Sequence, residues 1–274
     1  MAFTGAGEEV EVAVTLHEGA GNDFIVVVDA DGTVNVQPSD AVRACDRTDG
    51  IGADGLLRVR RGSETDLTMD LWNADGSIAE MSGNGIRCLA QAAVLAGLTE
   101  DGTMTVSTLA GVRVLTYDAS DDPAVGSATV TMGPVTLGET LAIAGTSLAR
   151  RASIGNPHLI LVVDDATDID PLATGPELSR APREGTNVEW ITPRDRKQID
   201  LVVYERGVGP TKACGTGSCA AAVVAAEAGL CDPVVAVHNP GGTLVVDTRN
   251  RDDVILGGPV SLLGHFTLTF GSLL

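Results

Sequence analysis

Two stretches of the 274-residue chain hold the side chains best suited to chemistry. Ser82 opens "SGNG" and Cys214 opens "CGTG", and each is followed by an alanine-rich apolar run. A thiol in front of a helix start is a candidate base, because unpaired N–H groups and partial positive charge there favour its thiolate. A serine hydroxyl is far less acidic; it can donate a proton or order a water, but is a poor base unless another group activates it. The Gly-x-Gly turn lets backbone approach a ligand closely, and two facing helix starts would seat a carboxylate. With one acid–base group on either face of a carbon, a proton can leave on one side and return on the other. That chemistry is stereoinversion without a cofactor.

Such a pair needs elements that hold two helix starts alike. Ile86–Leu98 and Ser218–Leu230 read as buried helices, apolar nearly all round, each reaching a glycine stop at Gly97 or Gly229. The halves superpose by counting: Ser82 to Cys214 and Asn73 to Glu205 are both 132 residues apart, and "GN" at Gly21 recurs 134 residues on at Gly155. Both helices end in "AGL". Matches in one order predict a duplicated α/β fold of two pseudo-symmetric domains, each a curled β-sheet around a central buried helix. The remaining runs, such as "FIVVVDA", "LTMDLW", "HLILVV" and "IDLVVYE", read as strands separated by Gly, Asp and Pro. A linker is predicted at Asp118–Ser127, giving domains 1–121 and 122–259, with 260–274 returning to the first as a closing strand.

Composition narrows the classes further. A net charge of −19 opposes binding to nucleic acid or an anionic membrane. No apolar run is long enough for a membrane span, and the opening "MAFTGAGEEVEV" does not read as a signal peptide. Five cysteines without a dense framework fit a reducing cytoplasm. Cys45, Cys88, Cys219 and Cys231 read as structural, and their spacings with the four histidines match no common zinc pattern, so no metal is expected. Lysine occurs only at Lys197 and Lys212, which weakens pyridoxal-phosphate chemistry. "GIGADG" (Gly50–Gly55) fits G-x-G-x-x-G but lacks the strand before and helix after that dinucleotide binding requires. "GTGSCA" fits better, yet the next strand ends in His238 and Asn239 without the expected ribose-binding acid. Taken alone, His158 reads as a structural histidine.

These residues resemble the diaminopimelate epimerases through "GNDF", "GIGADG", "NADGSIAEMSGNGIRC", "GNPH", "TNVEW" and "ERGVGPTKACGTG", all in the family's order. The resemblance implies a cofactor-independent two-base isomerase that interconverts LL- and meso-diaminopimelate at a cleft between the domains, often as a homodimer. It implies that Cys214 is one catalytic residue and that Ser82 occupies the place of the other, ordinarily a cysteine. Gly83, Asn84, Gly215 and Thr216 match the helix starts that hold the reacting carboxylate, and Asn22 matches a ligand-binding asparagine. Asn73, Asn156, Asn187, Glu205 and Arg206 match residues that grip the distal amino-acid end; Arg206 suits a carboxylate and Glu205 an ammonium. His158 and Glu205 match groups that tune cysteine acidity. Two departures stand out: Gly55, where many relatives have glutamine, and Ser82. Three origins fit Ser82: deliberate replacement to trap a complex, a natural serine–cysteine pair that still epimerises, or a site turned to related work. The last covers another amino-acid racemase or epimerase, an elimination enzyme, and an amino-acid-binding homologue without turnover.

Overall fold

Most of the chain is strand, punctuated by glycine turns, in a computed structural model that describes residues 9–100 and 102–272. It divides into two units, residues 1–128 with 259–274 and residues 129–258. The first unit contains β1 (Glu9–Gly19), β2 (Asn22–Val28), β3 (Val34–Asn35), α1 (Pro38–Cys45), β4 (Gly55–Arg61) and β5 (Leu67–Asn73). It continues through α2 (Gly83–Leu95), β6 (Gly102–Thr108), β7 (Gly111–Ala119) and the opening of β8 (Val125–Gly133). The second unit contains β9 (Thr136–Leu141), β10 (Leu148–Ser153), β11 (Pro157–Val162), α3 (Pro171–Arg180), β12 (Asn187–Asp195) and β13 (Gln198–Glu205). After β14 (Gly209–Pro210) come α4 (Gly215–Glu227), β15 (Val234–Asn239), β16 (Gly242–Asp247) and β17 (Val254–Ser272), whose residues from 259 onward belong to the first unit.

Each unit curls strands around one helix: α2 packs on β1, β2, β4 and β7, and α4 on β10, β11, β12, β13, β15 and β16. Covering both faces of the inner strands explains their unbroken apolar runs. In β2, Ile25 and Val27 join α1 residues Ala41 and Ala44 in one core, while Phe24 reaches Gly85 at the start of α2. In the second unit Leu159 and Leu161 of β11 pack with Val188 and Trp190, backed by Leu178 of α3. By contrast β8 alternates buried and exposed residues along most of its length, the period-two pattern of a strand covered on one side.

Strand register displays the duplication directly. β2 and β4 run parallel with Phe24 opposite Gly55, and β11 and β12 run parallel with His158 opposite Asn187. The next pairings, Leu56 with Trp72 and Val188 with Tyr204, are both antiparallel and keep the 132-residue offset.

Three local expectations change. Both central helices begin and end three residues earlier than apolar patterning predicts, at Gly83–Leu95 and Gly215–Glu227. The reason is capping: Ser82 and Cys214 each accept an N–H from the first turn, so helical geometry starts immediately after them. Gly97 and Gly229 then take positive φ of 67° and 71° and stop the helices. Helices α1 and α3 were not anticipated, since one is eight residues long and the other has Pro176 inside it. The predicted linker at Asp118–Ser127 is a short connection instead, its flanks already in β7 and β8. Residues Ser261–Gly271 of β17 pair antiparallel with β1.

Candidate active site

Ser82 and Cys214 occupy the same structural position, the cap in front of a thirteen-residue helix. Their backbones are both extended, at φ −134°, ψ 123° and φ −124°, ψ 112°. Ser82 Oγ accepts from the Gly85 N–H at 3.0 Å, and Cys214 Sγ accepts from the Gly217 N–H at 3.3 Å. The hydroxyl and the sulfur are therefore equivalent in placement. Their surroundings are not.

In the second unit a run of hydrogen bonds leads from a buried carboxylate to the thiol. Glu189 Oε1 lies 2.7 Å from His158 Nδ1, with both side chains fully buried. His158 Nε2 donates to Asn156 Oδ1 at 3.0 Å, and Asn156 Nδ2 donates to Thr216 Oγ1 at 3.3 Å. Thr216 Oγ1 stands 3.4 Å from Cys214 Sγ, with its own hydroxyl hydrogen left to turn toward the sulfur. Glu205, at the end of β13, accepts a short hydrogen bond from the Thr211 hydroxyl. Burial raises the pKa of Glu205 above the ordinary carboxylate value, against the lowering effect of the Thr211 hydrogen bond.

Cys214 departs from the sequence expectation of a stabilised thiolate. Its thiol is pushed well above the usual range, first by burial and then by the charges of Glu205 and Glu189. The Thr216 and Gly217 hydrogen bonds pull the other way but do not prevail. The helix start is real, but burial, with the charges of Glu205 and Glu189 added to it, outweighs it. Cys45, Cys88 and Cys231 are likewise raised by burial, to about 12, about 12 and about 11.

In the first unit the corresponding network is built from different groups. Asn84 Nδ2 donates to Asn22 Oδ1 at 2.6 Å, and Asn22 Nδ2 donates to Asp54 Oδ2 at 2.9 Å. Asp54 also accepts from Arg47 at 2.8 Å, and Arg47 forks onto both oxygens of Asp23. Fully buried Arg87 donates to the Gly83 carbonyl at 2.8 Å and to Asn84 Oδ1 at 3.1 Å.

The remaining sequence candidates fall around these clusters. Asn187 Oδ1 accepts from the Arg206 backbone N–H at 2.8 Å, while the Arg206 guanidinium donates to the Glu184 carbonyl at 2.9 Å. A cleft of about 450 Å³ beside them is lined by Arg180, Arg183, Tyr204 and Arg206. Asn73 is exposed at the end of β5 and donates to Ser77 Oγ at 2.9 Å. Gly55 lies directly opposite it, and an added Cβ would come within 2.8 Å of the Trp72 carbonyl and 3.2 Å of the Phe24 ring. Crowding by Phe24 and the Trp72 backbone thus accounts for glycine at Gly55.

Sequence reasoning missed Glu189, Arg87 and Asp54. For Glu189 a signal existed: a Cβ on Gly217 would stand 2.5 Å from Glu189 Oε1, so the second glycine of "GTG" leaves room for that carboxylate. Among the described residues no group of three or more His, Cys, Asp or Glu is arranged to hold a metal, and no helix is long and apolar enough to cross a membrane.

Comparison with known proteins follows the same lines. The family profile described as diaminopimelate epimerase matches residues 14–138 and 151–263. The chain is 38% identical to a diaminopimelate epimerase of Rippkaea orientalis, over 93% of this chain and 98% of that protein. It is 39% identical to diaminopimelate epimerase 1 of a Nostoc species, over 90% and 96%, and 34% identical to the Streptomyces coelicolor protein, over 93% and 94%. Among solved structures, a PhzF-family phenazine biosynthesis protein of Bacillus anthracis aligns with a TM-score of 0.74 at 15% identity, covering 94% of this chain and 99% of its own. A hydroxyproline epimerase of Agrobacterium vitis aligns at 0.68 and 16%, covering 96% and 92%. These two similarities speak to fold alone.

Proposed function

Because the chain belongs to the diaminopimelate epimerase family, we propose that it inverts the Cα configuration of diaminopimelate, interconverting the LL and meso forms, with Cys214 and Ser82 as its proton-transferring pair. The observation that carries this reading is their equivalence: a thiol and a hydroxyl capping matched helices, each beside N–H groups suited to a carboxylate. One member of the pair removes the α-proton and the other returns it. Asn84 and Gly83, with Gly215 and Thr216, hold the reacting carboxylate, and their N–H groups stabilise the negative charge that grows as the proton leaves. Asn22 binds near the reacting carbon. Asn73, Asn156, Asn187, Glu205 and Arg206 bind the distal end.

The raised thiol fits a substrate-assisted step. With Glu205 and Glu189 unneutralised, Cys214 keeps its proton. A substrate ammonium beside Glu205 cancels part of that repulsion, so the thiolate forms when its partner is present. His158 keeps the Asn156–Thr216 link directed at the sulfur and so acts with Glu205 on thiol acidity. Ser82 has the weaker acid–base chemistry and limits the rate in at least one direction. The protein works without a cofactor on a small amino acid, in the cytoplasm, where five free thiols are at home, and as a homodimer.

Ser82 also favours a second reading, an amino-acid-binding homologue or a related racemase or elimination enzyme. Incubating each diaminopimelate stereoisomer in heavy water separates the two. Epimerisation gives deuterium at Cα from both isomers at unequal rates, and Ser82→Cys raises turnover about tenfold or more. Tight binding without exchange in both proteins would leave a binder, and exchange only with a different amino acid would reassign the substrate.

A further inference from the structure

The interior of the first unit contains a charged side chain that the proposed chemistry does not yet use. Arg87 is fully buried within the first helical turns behind Ser82. A guanidinium only donates hydrogen bonds, and it stays charged at any ordinary pH. Its NH1 holds the Gly83 carbonyl and its NH2 holds Asn84 Oδ1. Asn84 must therefore turn its NH2 group the other way, where it donates to Asn22 Oδ1. Asn22 in turn donates to Asp54 Oδ2, an oxygen that also accepts from the Asp23 N–H at 3.2 Å while Arg47 donates to Oδ1. A donor-only group at one end and an accepting oxygen at the other leave both amides one orientation.

We propose that Arg87 is a positioning residue for the reaction: its fork fixes the amides of Asn84 and Asn22 so that this half of the site offers N–H donors to the bound carboxylate. Each NH2 group has a second hydrogen beyond the bonds above, while each amide oxygen already accepts one. A flipped Asn22 or Asn84 would turn oxygen toward the anion instead. The same guanidinium adds permanent positive charge where the helix start is already positive, a placement unfavourable for the helix alone and favourable once an anion binds. Gly19 makes room for it, since a Cβ there would lie 3.3 Å from Arg87 NH2.

The kinetic part of the test rests on the epimerase reading; the spectroscopic part does not. With isotope-labelled protein, the side-chain NH2 protons of Asn22 and Asn84 should be slow to exchange with water in the wild type and fast in Arg87→Lys, which keeps charge but loses the fork. In heavy-water exchange of diaminopimelate, Arg87→Lys should lower kcat/KM about thirtyfold, mostly through kcat, at near-native melting temperature. Asn84→Ala should cost a similar factor, and the double variant no more than the worse single, because both act through one amide. Multiplicative losses, or unchanged amide protection in Arg87→Lys, would overturn the assignment. If the wild type shows no Cα exchange, the epimerase reading fails while amide protection still decides the role of Arg87.

Discussion

At matched places in the two units stand Phe24 and Leu57 on one side and His158 and Glu189 on the other. The strand registers are the same, and so are the caps, helix lengths and glycine stops. The difference is electrostatic. In the first unit the asparagines are held by Arg87 at one end and by Asp54, paired with Arg47, at the other. In the second they are held by a histidine beside a buried carboxylate, with another carboxylate close to the thiol. Duplication preserves where a side chain stands, because strand register and helix caps decide that. It leaves chemistry free to diverge, because one substitution on an inner strand adds or removes a buried charge. The thiol and two carboxylates have collected around one cap, and the other cap carries a hydroxyl beside an amide chain held by Arg87.

The sharpest way to break this comparison is to remove the two capping groups in turn. Cys214→Ala is expected to lower Cα exchange about a thousandfold and Ser82→Ala about tenfold, measured on both stereoisomers. Equal losses would make the caps equivalent in chemistry as well as in place.

The two wholly buried histidines offer the next contrast. His17 sits neutral between Gln91 and the Thr15 hydroxyl, and burial lowers its pKa from 6.5 to about 4, with Gln91 opposing and His265 adding slightly. The unfolded chain therefore takes up this proton first. The contribution of His17 to stability is full above pH 6.5 and is lost as pH falls toward 4, on the order of 3 kcal/mol. Denaturant unfolding across that range should show the loss, and His17→Gln should flatten it.

Smaller again is the expected effect of adding one methyl group at matched glycines. Gly217→Ala meets Glu189 Oε1 at 2.5 Å, whereas Gly85→Ala meets Ser82 at 3.2 Å and Phe24 at 3.4 Å. The first should cost about 2 kcal/mol in unfolding free energy and the second under about 1 kcal/mol. Equal costs would mean that Glu189 moves aside freely and does not hold His158.

Much of this was legible in the sequence, for a physical reason. A cap residue, a Gly-x-Gly turn and an apolar helix are contiguous, so local rules locate Ser82 and Cys214 and the duplication they belong to. The same holds for inner strands such as Phe24–Val27, whose apolar runs announce burial on two faces. The short helices α1 and α3 escaped because eight or ten residues carry too little periodicity, and Pro176 reads as a break. What no spacing conveys is which charges meet through space. Glu189 is 31 residues from His158, and Asp54 is 32 from Asn22, each pair brought together by neighbouring parallel strands. Thiol acidity sums burial and every nearby charge, and those distances exist only once the sheets have folded. The sequence by itself determined that two equivalent helix starts would form and what capped them. Only the tertiary structure decided that Cys214 would be buried beside two carboxylates and keep its proton, because desolvation and Coulomb energies depend on packing and distances that chain order does not specify.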